Sequence, residues 1–509
     1  MTHKSHKAMD AALAELDRRR ALALGQGGPK RIAVQHGKGR LTARERLAMM
    51  VDPGSFVEIG QLALSDREEV AEQAPCDALI TGIGLIDGRK AAIIVGDATV
   101  MAGSTGSVGG RKQGIIAALA TRKGYPLVVL GDANGGRLPD FLGSGFTIEG
   151  GNHEGETMFG VRQETDRIPR VTAALGNSYG DPSLWAALSD FVVMPENCTI
   201  GLSGPELVGA AIGEKTTHEE LGGPAVAAKL TGIVTNVVPT EQDCMDQIRR
   251  FLSYLPSNAT QPPPVTQPCP PKTPGQALYD IVPEEHKRAY NMHKVIDAVV
   301  DEGSFFEMHA MFGKCLITGF ARIEGKPVGI LASQPMQQAG VLDSNALIKA
   351  TKLVGLCDDF GLPLVFLQDL PGVIIGNAAE RTGLAMRMME LFKRLAKARA
   401  PRVTVILRKA YGFGWMALGG TPMGVDYICA WAGAQIGFMA ASNSAEILHR
   451  REILEVRQTQ GEEAAARLID EFESKLARDN APWTAAAQVS LHDVIKPEET
   501  RQAIINGLF

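Results

Sequence analysis

The 509-residue sequence is poor in features that would take it out of the class of globular proteins. No apolar run approaches the roughly 20 residues that span a bilayer, and the charged stretch 1–24 lacks the apolar core of a signal peptide. The seven cysteines form no Cys-x-x-Cys pair, and a net charge of −5 gives no basic surface for nucleic acid or an anionic membrane. We therefore expect a cytoplasmic protein without nucleic-acid or membrane partners.

Familiar catalytic motifs are also missing. No Ser/His/Asp or Cys/His arrangement stands out, and the ten histidines show no ligand spacing, so we expect no metal. The Gly-rich stretch Met101–Lys112 precedes a predicted helix and could hold a phosphate, but it matches neither the P-loop nor the GxGxxG fingerprint. An ordinary loop remains an equal alternative there.

The most informative feature that is present is an internal duplication. TGIGLIDGRK from Thr81 recurs as TGFARIEGKP from Thr318, and GYPLVVLGD from Gly124 recurs as GLPLVFLQD from Gly361. Both pairs are separated by 237 positions (81 to 318, and 124 to 361). GSFVEIG, near the start, likewise recurs as GSFFEMH. A duplicated fold can supply two similar pockets, which suits chemistry with two reactants.

Apolar runs alternate with helical segments in both halves, which predicts an α/β fold. The segment Pro256–Gly275 holds eight prolines and can be neither a helix nor a central strand. The tail 450–478 is charged and predicted to be helical. We expect a helical segment over 1–45, a first half over 46–256, a Pro-rich linker over 257–275 and a second half over 276–509.

Two turns share one local pattern, in which an apolar strand runs into a Gly-containing turn that opens a helix. In the first half VTAALGNSYG leads into Asp181-Pro182, where Pro182 suits a first helical turn and Asp181 is predicted to be the N-cap. In the second half VTVILRKAYG leads into Phe413-Gly414. Free N–H groups at a helix N-terminus can form an oxyanion hole. Tight strand-to-helix turns without a ligand are the alternative.

Two further segments are weaker candidates. DANGGR (Asp132–Arg137) follows a strand and carries a basic residue that could meet an anionic ligand, or it could be a plain turn. The Gly-rich segment 138–160 could bind a metal or act in acid–base chemistry, although its spacing fits no metal template and favours a solvated loop. Its candidate residues are Asp140, Glu149, His153, Glu154 and Glu156.

Longer motifs carry a family resemblance over nearly the whole length. They are GKGRLTARERLAMMVDPGSFVEIG, GEKTTHEELGGPAVAAKLTGI, YDIVPEEHKRAYNMHKVIDAVVDEGSFFE, VGILASQPMQQAGVLDSNALIKATKLVGLCDDFGLPLVFLQDLPG and LHDVIKPEETRQAI. The chain resembles the carboxyltransferase (β) subunits of biotin-dependent acyl-CoA carboxylases, of the propionyl-CoA and methylcrotonyl-CoA carboxylase type.

The resemblance implies a duplicated crotonase-like fold, with an acyl-CoA on the first half and carboxybiotin on the second half of a neighbouring subunit. CO2 would pass to the α- or vinylogous carbon of the thioester through an enolate held by backbone N–H groups. Carried over by motif, the catalytic positions are Gly180, Asp181, Phe413 and Gly414. The implied substrate-binding positions are Gly135, Gly136, Arg137, Tyr179, Gly412 and Met416, of which Met416 would line the acyl pocket.

The resemblance also implies partners. No biotin-accepting Met-Lys-Met segment and no biotin carboxylase domain appear in the sequence. A separate biotin carboxylase/biotin carboxyl carrier (α) subunit is therefore implied, together with a homo-hexamer of β subunits, a coenzyme A thioester as substrate and no metal in this subunit.

The first half departs from the family pattern, because the glycine pair of its acyl hole is Gly180-Asp181, followed by Pro182. A carboxylate there is unfavourable unless it turns away or is protonated. A decarboxylase component that runs the reverse half-reaction therefore stays open. So do a biotin-independent thioester lyase or hydrolase that uses Asp181, and a catalytically silent partner subunit.

Overall fold

A computed structural model describes residues 7–142 and 167–509 of the chain. The chain divides into two compact units, Met1–Gln261 and Pro262–Phe509. Each unit contains helices and, within the described ranges, one sheet of eight strands. The predicted α/β fold with two similar halves is confirmed.

The first unit opens with three helices and then alternates strands and helices. Its elements are α1 (Lys7–Leu24), α2 (Pro29–Gly37), α3 (Ala43–Met50), β1 (Val57–Glu58), β2 (Leu79–Ile86), β3 (Arg89–Gly96), α4 (Ser107–Lys123), β4 (Leu127–Asn134), β5 (Arg170–Tyr179), α5 (Asp181–Ala187), β6 (Phe191–Pro195), β7 (Thr199–Gly201), α6 (Pro205–Ile212), α7 (His218–Gly222), α8 (Pro224–Ala227), β8 (Asn236–Val238) and α9 (Glu241–Tyr254).

The second unit repeats this order and ends in a helical tail. Its elements are α10 (Leu278–Ile281), α11 (Met292–Val299), β9 (Phe306–Met308), β10 (Leu316–Ile323), β11 (Lys326–Ser333), α12 (Ser344–Phe360), β12 (Leu364–Leu370), α13 (Asn377–Glu380), α14 (Leu384–Lys397), β13 (Arg402–Tyr411), α15 (Gly412–Ala417), β14 (Tyr427–Trp431), β15 (Gln435–Gly437), α16 (Ala441–Leu448), α17 (Arg450–Gln460), α18 (Glu462–Asp479), α19 (Pro482–Ala487), β16 (Asp493–Ile495) and α20 (Thr500–Leu508).

The two sheets have the same topology. The first has the order β1-β2-β3-β4-β5-β6-β8 with β7 beside β5, and the second has the order β9-β10-β11-β12-β13-β14-β16 with β15 beside β13. In each, the first three strands are antiparallel and the pairs that follow are parallel. The parallel strands bring their carboxyl ends to one edge, where ligands bind in open α/β sheets.

Matched turns explain why the sequence repeats where it does. The β2–β3 hairpin turns through Asp87-Gly88, with φ of 49° and 76°, and the β10–β11 hairpin through Glu324-Gly325, with φ of 53° and 72°. Two consecutive positive φ values define the turn that suits the twist of a hairpin, and they require or favour Asp, Asn and Gly. The repeated DG and EG dipeptides are therefore structural signals.

The cores lie between each sheet and its helices. In the first unit Ile94, Val129 and Ile116 are among the buried residues of one cluster, which joins β3 and β4 to α4. In the second unit Ile330 and Val365 belong to a cluster on the opposite face of the sheet, which takes in α11 and α20. The central strands are buried on both faces, as expected for strands covered by helices.

The structure also describes the segments outside the two sheets. The N-terminal segment and the tail are helical, although Gly461 (φ 91°) divides the tail into two helices. Residues 256–274 contain neither helix nor strand. All seven cysteines lie in the described ranges and are unpaired, and six of them are buried. No helix in those ranges has the length and apolar character that a membrane crossing requires.

Candidate active site

The first candidate site lies where two neighbouring strands end. β4 and β5 are parallel partners up to the pair Asn134 and Tyr179. The next residues of the two strands are Gly135 and Gly180. A Cβ atom on Gly180 would lie 2.8 Å from the Cα atom of Gly135 and 3.5 Å from the N atom of Gly136. The structure therefore brings these three predicted site residues together at one edge of the sheet.

The helix that follows begins differently from the prediction. Gly180, with φ 67° and ψ −123°, is the N-cap of α5, and it makes no side-chain cap. Asp181 is the first helical residue, so its predicted role as N-cap is wrong. Its side chain cannot reach back to the first-turn N–H groups as a cap would. Pro182 lies in the first turn, as predicted.

Asp181 instead points its carboxyl group into the unit. Gln113 Nε2 on α4 donates to Asp181 Oδ2 at 3.2 Å. The Gln113 amide is oriented in turn by Trp185, whose Nε1–H donates to Gln113 Oε1 at 2.5 Å. The Thr105 side chain lines the same small cavity as the Asp181 carboxyl. The carboxyl is thus held by a neutral amide on α4.

Burial raises the pKa of the Asp181 carboxyl, because removal from water penalises its charged form more than these hydrogen bonds stabilise it. One of the two conditions under which an aspartate is acceptable near developing negative charge therefore applies here, because burial shifts the carboxyl towards its protonated form.

The second candidate site is built in the same way. β12 and β13 are parallel partners up to Leu370 and Ala410, and α15 begins directly after Tyr411. A Cβ atom on Gly414 would lie 2.8 Å from the Cα atom of Gly372, which follows β12. Two strand ends again meet at close range, and the backbone of α15 starts at this contact.

The first-turn N–H groups of α15 point away from the helix. Within the described part of the chain, the N–H groups of Phe413 and Gly414 have no backbone acceptor. Gly412 has φ 55°, and Met416 is half-buried on the same helix. The Phe413 side chain is 51% exposed. This turn can therefore donate main-chain hydrogen bonds to an anionic or carbonyl oxygen.

Two predicted substrate-binding side chains have internal partners. The Arg137 guanidinium is buried and pairs with Asp77 at 2.7 Å and with Asp140 at 3.3 Å. The Tyr179 ring is buried, and its hydroxyl lies 2.7 Å from His218 Nδ1. Because these side chains are engaged within the unit, they brace the site. Their direct contact with substrate stays a prediction.

Buried ion pairs anchor both central strands. In the first unit Arg46 Nη1 on α3 donates to Asp132 Oδ2 on β4 at 2.7 Å. In the second, Arg408 Nε on β13 donates to Asp369 Oδ2 on β12 at 2.8 Å. Both aspartates lie just before the turns described above. Sequence reasoning did not identify Arg46, because its partners are distant along the chain.

The structure describes only some of the remaining candidate residues. Met101 and Ala102 form a left-handed turn with Gly103, which leads into α4 at Ser107. Asp140 is the ion-pair partner of Arg137, whereas Glu149, His153, Glu154 and Glu156 lie outside the described residues. In the described ranges no group of three His, Cys, Asp or Glu residues could hold a metal ion.

Comparison with known proteins identifies the family of the chain. A family profile described as "Carboxyl transferase domain" matches residues 34–508. The carboxyltransferase subunit of propionyl-CoA carboxylase from Haloferax mediterranei is 34% identical to this chain. The alignment covers 98% of this chain and 96% of that subunit. The methylmalonyl-CoA decarboxylase subunit alpha of Veillonella parvula is 32% identical, over 95% of this chain and 92% of its own.

A solved structure extends the agreement to the fold. The crystal structure of transcarboxylase 12S, described as a hexamer with methylmalonyl-coenzyme A bound, is 31% identical and has a TM-score of 0.88. The match covers 100% of this chain and 96% of the 12S chain. The expected duplicated crotonase-like fold is thereby confirmed. The extent of these matches shows that the chain is an enzyme of the carboxyl transferase family.

Proposed function

We propose that the protein is the carboxyltransferase (β) subunit of a biotin-dependent acyl-CoA carboxylase. In this proposal the half over residues 46–256 binds the acyl-CoA and the half over 276–509 binds carboxybiotin. The product is an acyl-CoA carboxylated at its α- or vinylogous carbon. The observation that carries the proposal is the repeated meeting of two strand ends with a helix N-terminus, once in each unit.

The first unit would hold the thioester of the acyl-CoA. Its carbonyl oxygen gains negative charge as the α-proton leaves, and it needs hydrogen-bond donors at the position where that charge develops. Gly135, Gly136 and Gly180 have no side chains, so a thioester can approach the backbone closely. The positive end of the α5 dipole favours the enolate further.

The second unit would hold the ureido oxygen of biotin. The N–H groups of Phe413 and Gly414 fit a carbonyl oxygen that becomes more negative when CO2 departs. Bound at this position, carboxybiotin supplies CO2 and a base for the α-proton of the acyl group. The protein then orients two substrates and stabilises charge, and no side-chain nucleophile is required.

Partners and location follow from the same proposal. Biotin would arrive on a separate biotin carboxylase/biotin carboxyl carrier (α) subunit. We further propose a homo-hexamer of this chain, by analogy with the hexameric 12S protein. Cytoplasmic location is proposed because all seven cysteines remain thiols, as a reducing compartment favours.

Methylmalonyl-CoA decarboxylase relatives favour a second candidate, in which the same half-reaction runs in the reverse direction. The two candidates use the same turns and differ only in the partner that consumes or regenerates carboxybiotin. The co-purifying biotinylated protein therefore distinguishes them. A biotin carboxylase partner supports carboxylation, and a membrane-embedded partner supports decarboxylation.

The experiment is purification of the chain from its native cell, followed by mass spectrometry of the co-purified biotinylated protein and a carboxylation assay over a panel of acyl-CoAs. We expect one biotinylated partner and turnover that avidin abolishes. Turnover that survives avidin would instead support a biotin-independent reaction. Met416→Ala should shift the preference between short and branched acyl groups, and an unchanged preference would remove Met416 from the acyl pocket.

A further inference from the structure

The internal repeat allows the two catalytic turns to be compared residue by residue. β5 ends at Tyr179 and β13 ends at Tyr411, and each helix follows at once. Asp181 therefore occupies the position of Phe413, and Pro182 occupies the position of Gly414. Proline has no backbone N–H. The first turn thus lacks a main-chain donor that the second turn keeps.

Two other main-chain donors of the first turn are engaged within the unit. The Gly180 N–H donates to the Leu202 carbonyl oxygen at 3.2 Å. The Ser183 N–H donates back to the Gly180 carbonyl oxygen at 2.9 Å. Within the described residues the Asp181 N–H has no backbone acceptor, so it can serve an oxyanion. A second donor from this turn has to come from a side chain, because Pro182 has no N–H.

A buried polar cluster stands at the same place in the first unit alone. Asp181, Gln113 and Thr105 line a small cavity together with Pro182 and Trp185. The repeat places Ala350 at the position of Gln113 and Leu342 at that of Thr105. The second unit thus has apolar residues where the first has this cluster.

Among the residues that the structure describes, no charged side chain forms an ion pair with the Asp181 carboxyl. On β4, Asp132 is paired with Arg46, and on α4, Lys112 donates to main-chain carbonyl groups. β5 carries Arg170 at its opposite end, and β7 has no ionisable residue. The groups that hydrogen bond the carboxyl are neutral, and burial raises its pKa. This environment shifts the carboxyl towards its neutral acid.

We propose that Asp181 is a catalytic residue that acts as a neutral carboxylic acid and donates a hydrogen bond to the thioester oxygen of the acyl-CoA. It replaces the main-chain donor that Pro182 removes. Gln113 donates to Oδ2, which leaves Oδ1 to carry the proton. Gln113 and Trp185 are positioning residues, because they orient the carboxyl through their hydrogen bonds.

The O–H bond of the Asp181 carboxylic acid is not broken in this role. The hydrogen stays on Asp181 while the enolate oxygen accepts the hydrogen bond, and the α-proton leaves to the biotin base of the proposed function. This inference rests on that proposed function. An ionised Asp181 would oppose the enolate charge, so turnover should fall as pH rises through the raised pKa.

Three variants of the full chain test the proposal: Asp181→Asn, Asp181→Ala, and Asp181→Ala combined with Pro182→Ala. Asparagine keeps a neutral donor of the same shape. Alanine at 182 restores a backbone N–H and keeps the Cβ atom, which packs against Gly131. The assay is biotin-dependent loss of the carboxylate from malonyl-CoA and methylmalonyl-CoA with free biotin, because it requires no partner subunit.

We expect Asp181→Ala to lower kcat by about 100-fold with little change in KM, since the lost hydrogen bond forms in the transition state. Asp181→Asn should stay within about tenfold of the wild type and lose the decline at high pH. The double variant should recover about tenfold over Asp181→Ala. Thermal melting of all three variants identifies a general loss of folding.

Several results would overturn the inference. They are equal turnover of wild type and Asp181→Ala, an Asp181→Asn variant as slow as Asp181→Ala, or an unchanged pH profile in Asp181→Asn. If Asp181→Ala does not fold, the pH profile of Asp181→Asn still tests whether Asp181 acts as a neutral acid. A wild type with no biotin-dependent turnover would overturn the proposed function, and this inference with it.

Discussion

Gly180 and Gly135 approach so closely that a single methyl group cannot be placed between them, since a Cβ atom on Gly180 would lie 2.8 Å from the Cα atom of Gly135. The contact joins the ends of β4 and β5 and sets the entrance to α5. In the second unit Gly372, at the position of Gly135, is approached instead by Gly414, two residues further along the turn than Gly412, which aligns with Gly180. The backbone at both turns is bare because side chains would separate the strands.

Gly180→Ala is therefore expected to be damaging. The change forces φ 67° and ψ −123° on a residue with a Cβ and pushes the two turns apart. We expect a loss of about 1–3 kcal/mol in stability and a larger loss of turnover with acyl-CoA. Urea unfolding and the free-biotin assay measure the two effects.

Gly213→Ala is the matched control, because Gly213 has φ 73° but no heavy atom within 4 Å of its Cβ position. It should lose some stability from the backbone alone and keep turnover. Equal turnover of Gly180→Ala and Gly213→Ala would contradict the role of the Gly180 contact.

Phe413→Pro removes one N–H from the second turn with little other change. A proline is tolerated in a first helical turn, and the preceding Gly412 (φ 55°) is outside the right-handed helical region that proline disfavours. We expect biotin-dependent turnover to fall by about 100-fold, as for loss of an oxyanion donor. Phe413→Ala keeps the N–H and serves as the control.

The same change at Gly414 would be ambiguous, because any Cβ there lies 2.8 Å from Gly372. If Phe413→Pro and Phe413→Ala lose turnover equally, the Phe413 side chain, rather than the main chain, is what matters.

Arg46→Met tests the ion pair that anchors β4. Arg46 is fully buried and donates to Asp132 and Glu241, each at 2.7 Å. Its removal leaves two carboxylates without their cation, which costs about 3–5 kcal/mol for a buried pair. The midpoint of urea unfolding should fall accordingly. Arg387→Met breaks an exposed pair with Glu390 and should leave the midpoint unchanged. Equal midpoints for the two variants would refute the anchoring role.

Lys349 predicts a pH dependence of stability. Burial lowers the pKa of Lys349 to about 8 from the usual 10.5, so the unfolded state binds more protons between these values. Stability should therefore rise with pH across that window. Lys349→Met removes the penalty and should stabilise the protein by about 3 kcal/mol at pH 7, with a gain that vanishes above about pH 10.5.

Lys112 occupies the matched position in the first unit and provides the control. Its Nζ donates to the carbonyl oxygens of Cys76 and Leu79, whereas Lys349 Nζ has one long hydrogen bond of 3.3 Å to the His309 carbonyl oxygen. Lys112→Met should therefore destabilise the protein. An equal loss of stability in Lys112→Met and Lys349→Met at every pH would contradict this explanation of the Lys349 pKa.

Sequence patterns predicted much of this fold for identifiable physical reasons. The segments repeated from Thr81 and Thr318 form matching strand pairs, and the proline-rich segment excludes helices and central strands. Pro182 correctly indicated a first helical turn, since only there is a missing N–H harmless.

Other features depend on contacts that sequence spacing does not contain. The wrong N-cap assignment for Asp181 arose because Gly180 can take the cap position through a φ that only glycine favours. Gln113 and Trp185 went unnoticed because their roles follow from packing α4 against α5. An alignment of the two halves would have singled out Gln113, which faces Ala350 in the repeat.

The most direct test of carboxyl transfer uses methylmalonyl-CoA and malonyl-CoA labelled with ¹³C in the free carboxylate, with the purified chain and free biotin. The account predicts that the label leaves the CoA ester in the presence of biotin, and that Phe413→Pro and Asp181→Ala each slow this loss. A label that stays on both esters, or that leaves at the same rate without biotin, would contradict it.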